Sequence, residues 1–332
     1  MLVYILRRLL LLIPVLAIIS LVVFIIIQLP PGDYLSAYVS RLEASGVTVT
    51  EEQAAALKRQ YGLDLPFFDQ YLRWITNILF EGDFGRSFNW NKPVSAILVE
   101  RIPLTMAVSL ATTVFIFAVS IPIGIYSATH KYSLFDYFFT FVGFIGLSIP
   151  GFLLALVLMW GFYSVFDISV AGLFSPEYAD APWSVGKVLN LLSRIWFPMI
   201  IIGMSGTASL IRVMRGNLLD ELQKQYVITA RAKGVPEQAV LFRYPVRIAV
   251  NPIISTIGWI LPSIVGGEVL VSIVLNLQTT GPVLLQAVIF QDMYLAGSII
   301  LILSVLTIVG TLIADILLVW LDPRIRYGGL GE

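Results

Sequence analysis

Long apolar runs constrain this chain more than any other feature. Six segments, Leu9–Leu29, Ile102–Ala128, Tyr137–Phe166, Trp196–Ile211, Ile248–Leu275 and Tyr294–Leu321, are dominated by apolar residues and carry almost no charge. A helix crosses a hydrocarbon core with about 20 apolar residues, each rising about 1.5 Å. Backbone inside lipid must satisfy its own polar groups, so such runs fold as helices. Their weak alternation argues against a β-barrel. Only 13% of the residues are charged and the mean hydropathy is +0.88, against about 25% charged in an average soluble domain. The expected fold is an all-α integral membrane protein with six transmembrane helices.

Composition narrows the chemistry. The formal net charge is zero, so no global field favours nucleic acid. Without cysteine there is no disulfide framework and no thiol chemistry. A single imidazole, His130, cannot build a multi-histidine zinc site, and its neighbours Thr129 and Lys131 suggest a short polar loop. The chain has no phosphate-binding GxxxxGK[ST] loop, no HExxH and no GxSxG elbow. No catalytic residue, metal site or cofactor site is expected, and the chain does not read as an enzyme.

The opening Arg7-Arg8 and apolar run could begin a signal peptide, but Pro30-Pro31-Gly32-Asp33 follows in place of a small-residue cleavage site. The run is therefore expected to remain as a membrane anchor. Basic residues set the orientation. With the N-terminus inside, Arg7, Arg8, Lys131, Arg324, Arg326 and a dense basic loop all fall on the cytoplasmic side, and both termini are cytoplasmic. The chain then divides into an N-terminal segment with the first span (1–30), an extracytoplasmic helical segment (31–101), a five-helix membrane core (102–321) and a short cytoplasmic tail (322–332). In the extracytoplasmic segment, Thr50 and Gln53 form a capping box for a helix Glu51–Tyr61 that Gly62 stops. A second helix follows Asp64, with Pro66 in its first turn and Gly82 after its end. Its residues Phe67, Tyr71, Ile75, Ile78 and Leu79 share one face, expected to pack on the spans.

The basic loop, 212–247, holds seven Lys and Arg residues: Arg212, Arg215, Lys224, Arg231, Lys233, Arg243 and Arg247. Gln225–Lys233 is expected to form one short helix, ended by Gly234 in a left-handed conformation. Pro236 suits the first turn of a second helix, and Pro245 ends it because proline disfavours α geometry in the residue before it. Ala230, Gly234 and Val235 are expected to form a small apolar knob between Arg231, Lys233 and Arg243. Composition leaves three readings open: a loop that enforces topology, one that touches anionic lipid, or one that docks a soluble partner.

The wording Tyr226-Val227-Ile228-Thr229-Ala230-Arg231-Ala232-Lys233-Gly234, with Arg243-Tyr244-Pro245-Val246-Arg247 and Asn251-Pro252 downstream, resembles the permeases of the dipeptide/oligopeptide/nickel ABC-importer family. The resemblance covers the whole chain. Tyr4-Ile5-Leu6-Arg7-Arg8-Leu9, Tyr61-Gly62-Leu63-Asp64-Leu65-Pro66, Gly82-Asp83-Phe84-Gly85-Arg86-Ser87 and Leu321-Asp322-Pro323-Arg324-Ile325-Arg326 are similar to the first permease of the pair, the dipeptide permease B-like subunit. It implies a type I importer fold in the inner (cytoplasmic) membrane. It also implies three kinds of partner besides the lipid bilayer: a second permease, two ATP-binding subunits that carry the ATP, and an extracytoplasmic substrate-binding protein. The loop containing Tyr226, Thr229, Ala230, Arg231, Ala232, Lys233 and Gly234 would be the coupling helix that meets an ATPase. The implied activity is ATP-driven import of dipeptides or oligopeptides by alternating access. The stretch Ser272-Ile273-Val274-Leu275 with Gln278-Thr279-Thr280-Gly281-Pro282 departs from the family's usual Glu-Thr-x-Phe and Gly-Leu-Gly, and relatives also carry oligosaccharides and nickel.

Two acids lie in apolar surroundings. Glu268, after Gly266-Gly267, sits near the outer end of the fifth span, about 30 Å from its start by helix rise. Acids at such depth are functional candidates because burying them is unfavourable; a hydrated position at the interface is the alternative. Gly266, Gly267 and Glu268, with Pro150 between Gly146 and Gly151, are the candidate gate or pathway residues. Asp315, in the sixth span, is expected to have a structural partner on a neighbouring helix. Gly143, Gly146 and Gly151 would permit close helix approach or a kink.

Overall fold

The computed structural model describes residues 2–28, 65–87, 89–257 and 269–321. Besides the single turn Pro176–Ala179, the α-helices, in chain order, include α1 (Leu2–Gln28), α2 (Phe67–Thr76), α3 (Val94–Thr129), α4 (Leu134–Ser148), α5 (Gly151–Phe166), α6 (Val185–Arg194), α7 (Trp196–Glu221), α8 (Gln225–Ala232), α9 (Glu237–Arg243), α10 (Pro245–Ala249), α11 (Asn251–Ser255), α12 (Thr280–Ile289) and α13 (Met293–Leu321). Among the described residues the pairing of strand type is one isolated bridge, Arg86–Pro93. The expected helix Glu51–Tyr61, the gate candidates Gly266, Gly267 and Glu268, and the tail 322–332 lie outside the described residues.

Among the described residues, three helices are long and apolar enough to cross a membrane: Val94–Thr129, Trp196–Glu221 and Met293–Ile313. The pair α4 and α5 makes up to a fourth, but not as the continuous span expected over Tyr137–Phe166. The two helices meet at a bend of 111°. Pro150 is the cause. It forces Ile149 into an extended conformation (φ −94°, ψ 125°) and has no N–H to continue the ladder. The span expected to end at Ile211 runs on to Glu221, so Arg212 and Arg215 ride on helix α7, not in the loop. Of the expected fifth span, Pro245–Ala249 and Asn251–Ser255 are separate short helices, each with a proline in its first turn. The segment expected as the first anchor, Leu9–Leu29, falls largely in helix α1, which carries Pro14 inside it; its part Leu10–Ile26 is a shorter apolar helix than the three above.

The chain clusters into two compact units, residues 1–104 with 279–308, and residues 105–278 with 309–332. In the first, Trp74 of α2 is buried with Phe24 and Leu301, and Phe67, Tyr71, Ile75 and Ile78 pack around them. Tyr71 Oη lies 2.8 Å from Ser20 Oγ. The predicted apolar face of α2 therefore meets membrane helices, with one exception. Leu79 is 69% exposed, because residues Asn77–Glu81 form a wide π turn that rotates the register. Gly82, at φ 66°, closes that turn. The start of α3 is buried too: Val94, Ile97 and Leu98 share a cluster with Val283 and Ala287 of α12 and Leu295 and Ile299 of α13.

The second unit is organised on α7. Small residues let its neighbours approach closely. A Cβ on Gly124 of α3 would lie 2.5 Å from the Cβ of Met214, and one on Gly146 of α4 would lie 2.5 Å from Met204 Cγ. Gly143 faces Ala208 in ordinary contact, so Gly143 and Gly146 have the close helix approach expected of them, while Gly124 was not foreseen. Gly216, on the same helix α7, has open space around it. Gly124→Val is expected to destabilise the unit by about 1–3 kcal/mol through overpacking, and Gly216→Ala to cost nothing measurable. Thermal unfolding of the two variants in detergent checks the contrast.

Candidate functional site: the loop on helix α7

At the C-terminal end of α7 the backbone turns at Leu222–Lys224 and starts α8. Helix α8 ends as predicted. Gly234 has φ 72°, its N–H donates to Arg231 O at 2.9 Å, and Val235 N–H donates to Ala230 O at 3.3 Å. That bond pair is a Schellman closure, which satisfies two carbonyls left open at the helix end. Glycine pays no Cβ penalty in this conformation, whereas other residues pay about 1–2 kcal/mol. Pro236 then leads into α9, and Tyr244, held outside α geometry ahead of Pro245, ends it.

The hairpin has its own small core. Val227, Ala230 and Val240 are buried together, with Val235 and Tyr244 against them. Ala230 was expected on an exposed knob. It is 7% exposed and turned toward α9, because a helix of this length must bury its Val227–Ala230 side to hold α9. The exposed residues of α8 and its closing turn are Gln225, Tyr226, Ile228, Thr229, Arg231, Ala232, Lys233 and Gly234. Thr229 Oγ1 donates to Gln225 O at 2.8 Å. The hairpin is also clamped: the Arg231 guanidinium donates to both oxygens of Glu237, with Nη2 at 2.6 Å from Oε1. Tyr226 donates its hydroxyl to Glu221 at the end of α7. Burial, and then that carboxylate, push the Tyr226 phenol well above its ordinary range.

The hairpin stands on α7 through α10. Val246 and Ala249 share a buried cluster with Leu210, Met214 and Leu218 of α7, Ile116 and Ala128 of α3, and Ile253 of α11. Asp136, at the start of α4, is 3% exposed and takes two hydrogen bonds from Arg215, at 3.2 and 3.0 Å. Its Oδ2 also accepts the Tyr132 N–H at 3.0 Å. Sequence reading missed this pair, since its members stand 79 residues apart. The available signal was local: Ser133 and Asp136 have capping-box spacing, and Ser133 Oγ does accept the Asp136 N–H at 3.2 Å. Pro150, the described gate candidate, precedes α5 at the α4–α5 break. His130 stacks on Tyr126, with ring centroids 4.6 Å apart, in the exposed turn before α4. Among the described residues no group of three or more His, Cys, Asp or Glu is placed to hold a metal.

The matched sequence families decide the class of this arrangement. Residues 120–327 match the family described as binding-protein-dependent transport system inner membrane component, and residues 1–111 match its N-terminal counterpart. The chain belongs to this transport family. The oligopeptide transport system permease protein AppB of Bacillus subtilis is 34% identical over 98% of this chain and 99% of its own length. A putative peptide permease protein of Brucella suis is 31% identical over 98% of the chain and 99% of its own length. A probable peptide ABC transporter permease protein of Sinorhizobium fredii is 29% identical over the same shares. This protein is thus a multi-pass membrane permease component of a transport system that works with a binding protein, and the loop on α7 lies inside the matched region.

Two measurements follow. Replacing Asp136 with Ala leaves the Arg215 charge without its carboxylate and is expected to destabilise the permease by about 1–3 kcal/mol, toward the low end because the Arg215 side chain is 30% exposed. The hydrogen bond from Arg231 holds Glu237 below its usual range. A depressed carboxylate stabilises above its unfolded pKa, about 4.3, and loses that contribution as pH falls through the folded value. Because the pair is exposed, the effect is small and weakens with salt. Amide exchange at Gly234 and Val235 should therefore be slower than in Glu237→Gln at neutral pH, and equal to it in acid below the carboxylate range.

Proposed function

We propose that this chain is one of two permease subunits of an ATP-driven type I importer, and that its cargo is dipeptides or oligopeptides. On this reading it has six spans with both termini cytoplasmic, and the hairpin α8–α9 receives one of two partner ATPases. A second permease completes the pathway, and an extracytoplasmic binding protein delivers the substrate. The ATP stays with the partners. The observation that carries the reading is the hairpin: a preformed helix–turn–helix with exposed Thr229, Arg231, Ala232, Lys233 and Gly234, clamped internally and seated on a span through Val246 and Ala249. A loop that served only to fix topology has no need of an internal core, a Schellman turn and a seat.

The mechanism is mechanical. ATP draws the two ATPases together, each pushes a coupling hairpin, and α7 with its neighbours rocks between inward-facing and outward-facing states. The nucleotide can drive that change only by binding one state better than the other. The Pro150 break is proposed as a bending point or gate along the pathway, with Gly266, Gly267 and Glu268 as the further candidates. The peptide reading draws on what the relatives are named for; oligosaccharides or nickel would use the same machinery.

Gly234→Pro removes the N–H that bonds Arg231 and cannot reach φ 72°. It is expected to abolish substrate-stimulated ATP hydrolysis in the lipid-reconstituted complex while the chain still inserts; wild-type stimulation would refute docking at this hairpin. The same assay run on short peptides, oligosaccharides and nickel decides the cargo. Stimulation by peptides alone supports the proposal, and stimulation by sugars alone replaces the cargo while leaving the hairpin's role intact.

A further inference from the structure

The opposite end of α7, about 39 Å along the axis from the hairpin end, carries a cavity of about 340 Å³. Ser169, Ser175, Asn190, Ser193, Arg194 and Trp196 are among the residues that line it. One wall is fixed: Asn190 Oδ1 accepts the Ser175 N–H at 2.9 Å, and Asn190 Nδ2 donates to Ser175 Oγ at 3.0 Å. Arg194 is pinned by one N–H, given to Ala171 O at 3.2 Å. Guanidinium has further donors in a fixed fork, and no carboxylate among the described residues pairs with Arg194. A cavity that presents an unneutralised fork beside serine hydroxyls is built for an anion with two adjacent oxygens.

The helix beside the cavity says where that anion comes from. Along α6, Val185, Val188, Leu189 and Leu192 follow helical spacing and are 78%, 43%, 61% and 60% exposed. Its other side is committed to the protein. Leu191 is buried, and Lys187 gives its ammonium to Ala179 O and Ala181 O at 3.3 and 2.6 Å, beneath the Phe174 ring. Only Ile195 separates α6 from the membrane-crossing helix α7. An open apolar stripe at that position is of the kind that lies against lipid at a membrane surface. Trp183 and Trp196, exposed near the two ends of α6, are the ring type favoured at that depth.

We propose that α6 lies in the bilayer interface and that the adjoining cavity binds the phosphate of an anionic phospholipid, gripped by Arg194 with Ser169 and Ser175 as further hydroxyl donors. The bound lipid ties the N-terminal end of α7 to the membrane surface, so that a push on the far end tilts the helix about a fixed point. The inference holds for any cargo.

The test uses the full chain in its complex, released from phosphatidylcholine vesicles doped with phosphatidylglycerol, with retained lipid counted by native mass spectrometry. The wild type should keep one phosphatidylglycerol that Arg194→Gln binds about tenfold more weakly, and Arg194→Lys should hold an intermediate amount. Equal retention by wild type and Arg194→Gln, or equal retention of phosphatidylcholine and phosphatidylglycerol by the wild type, overturns the proposal. Displacement by inorganic phosphate as effective as by added phosphatidylglycerol would make the site one for the free ion and overturn the lipid assignment. A second readout needs no Arg194 variant. Trp196 emission, taken as the difference between wild type and Trp196→Phe, should be quenched more by brominated phosphatidylglycerol than by brominated phosphatidylcholine, and equal quenching would also overturn it.

Discussion

The seating of Val246 and Ala249 of α10 against Met214 and Leu218 of α7 is the contact on which the proposed coupling role of the second unit depends. A loop of few residues cannot transmit force unless it is stiff and bonded to something stiff. The hairpin supplies the first condition through its Val227–Ala230–Val240 core, the Schellman turn at Gly234 and the Arg231–Glu237 clamp. The α10 seat supplies the second. Met214 and Leu218 are fully buried at that seat, and close-packed interiors resist shear rather than yield to it.

On the proposed coupling reading, helix α7 serves as a beam. Its middle is gripped by α3 and α4, where Gly124 and Gly146 leave no room for a side chain. Near the loop, the Asp136–Arg215 pair adds a directional bond where apolar contact alone would let α4 slide. Burying a carboxylate is unfavourable in itself, so such a pair fixes geometry more than it adds stability. Asp136 is nearly sealed from solvent but accepts three N–H groups, which is the condition under which a buried carboxylate persists.

What the sequence made legible, and what it did not, divides along the range of the interaction. Gly234 was readable because only the left-handed region suits glycine better than its neighbours, and that preference is local. Gly82 was readable for the same reason, whereas at Pro150 the sequence offered a kink only as an alternative to close helix approach, inside a span expected to be continuous. The size of the bend between α4 and α5 was not readable, because it is set by what each helix packs on. The outward knob failed at Ala230, since which face of a short helix turns inward depends on where α9 lies. Leu79 failed because a π turn has no clear sequence mark and displaces every later residue. Arg212 and Arg215 were assigned to a loop because charge usually ends a span; here Arg215 is neutralised by an acid far away in sequence, and the helix continues. The cavity beside α6 was invisible for the same reason, being formed by residues between Ile168 and Phe197 that meet only in the fold.

The claim that hairpin and beam move as one body can be measured directly. The natural chain has no cysteine, so paired spin labels can be placed at Val213 on α7 and Phe242 on α9, which are 37% and 59% exposed. Their distance distribution would be recorded in the reconstituted complex with and without ATP. The account predicts one narrow distribution that nucleotide does not shift, even as labels across the pathway move. A distance that changes with nucleotide would mean that the loop flexes on α7, and the hairpin could not be the lever described.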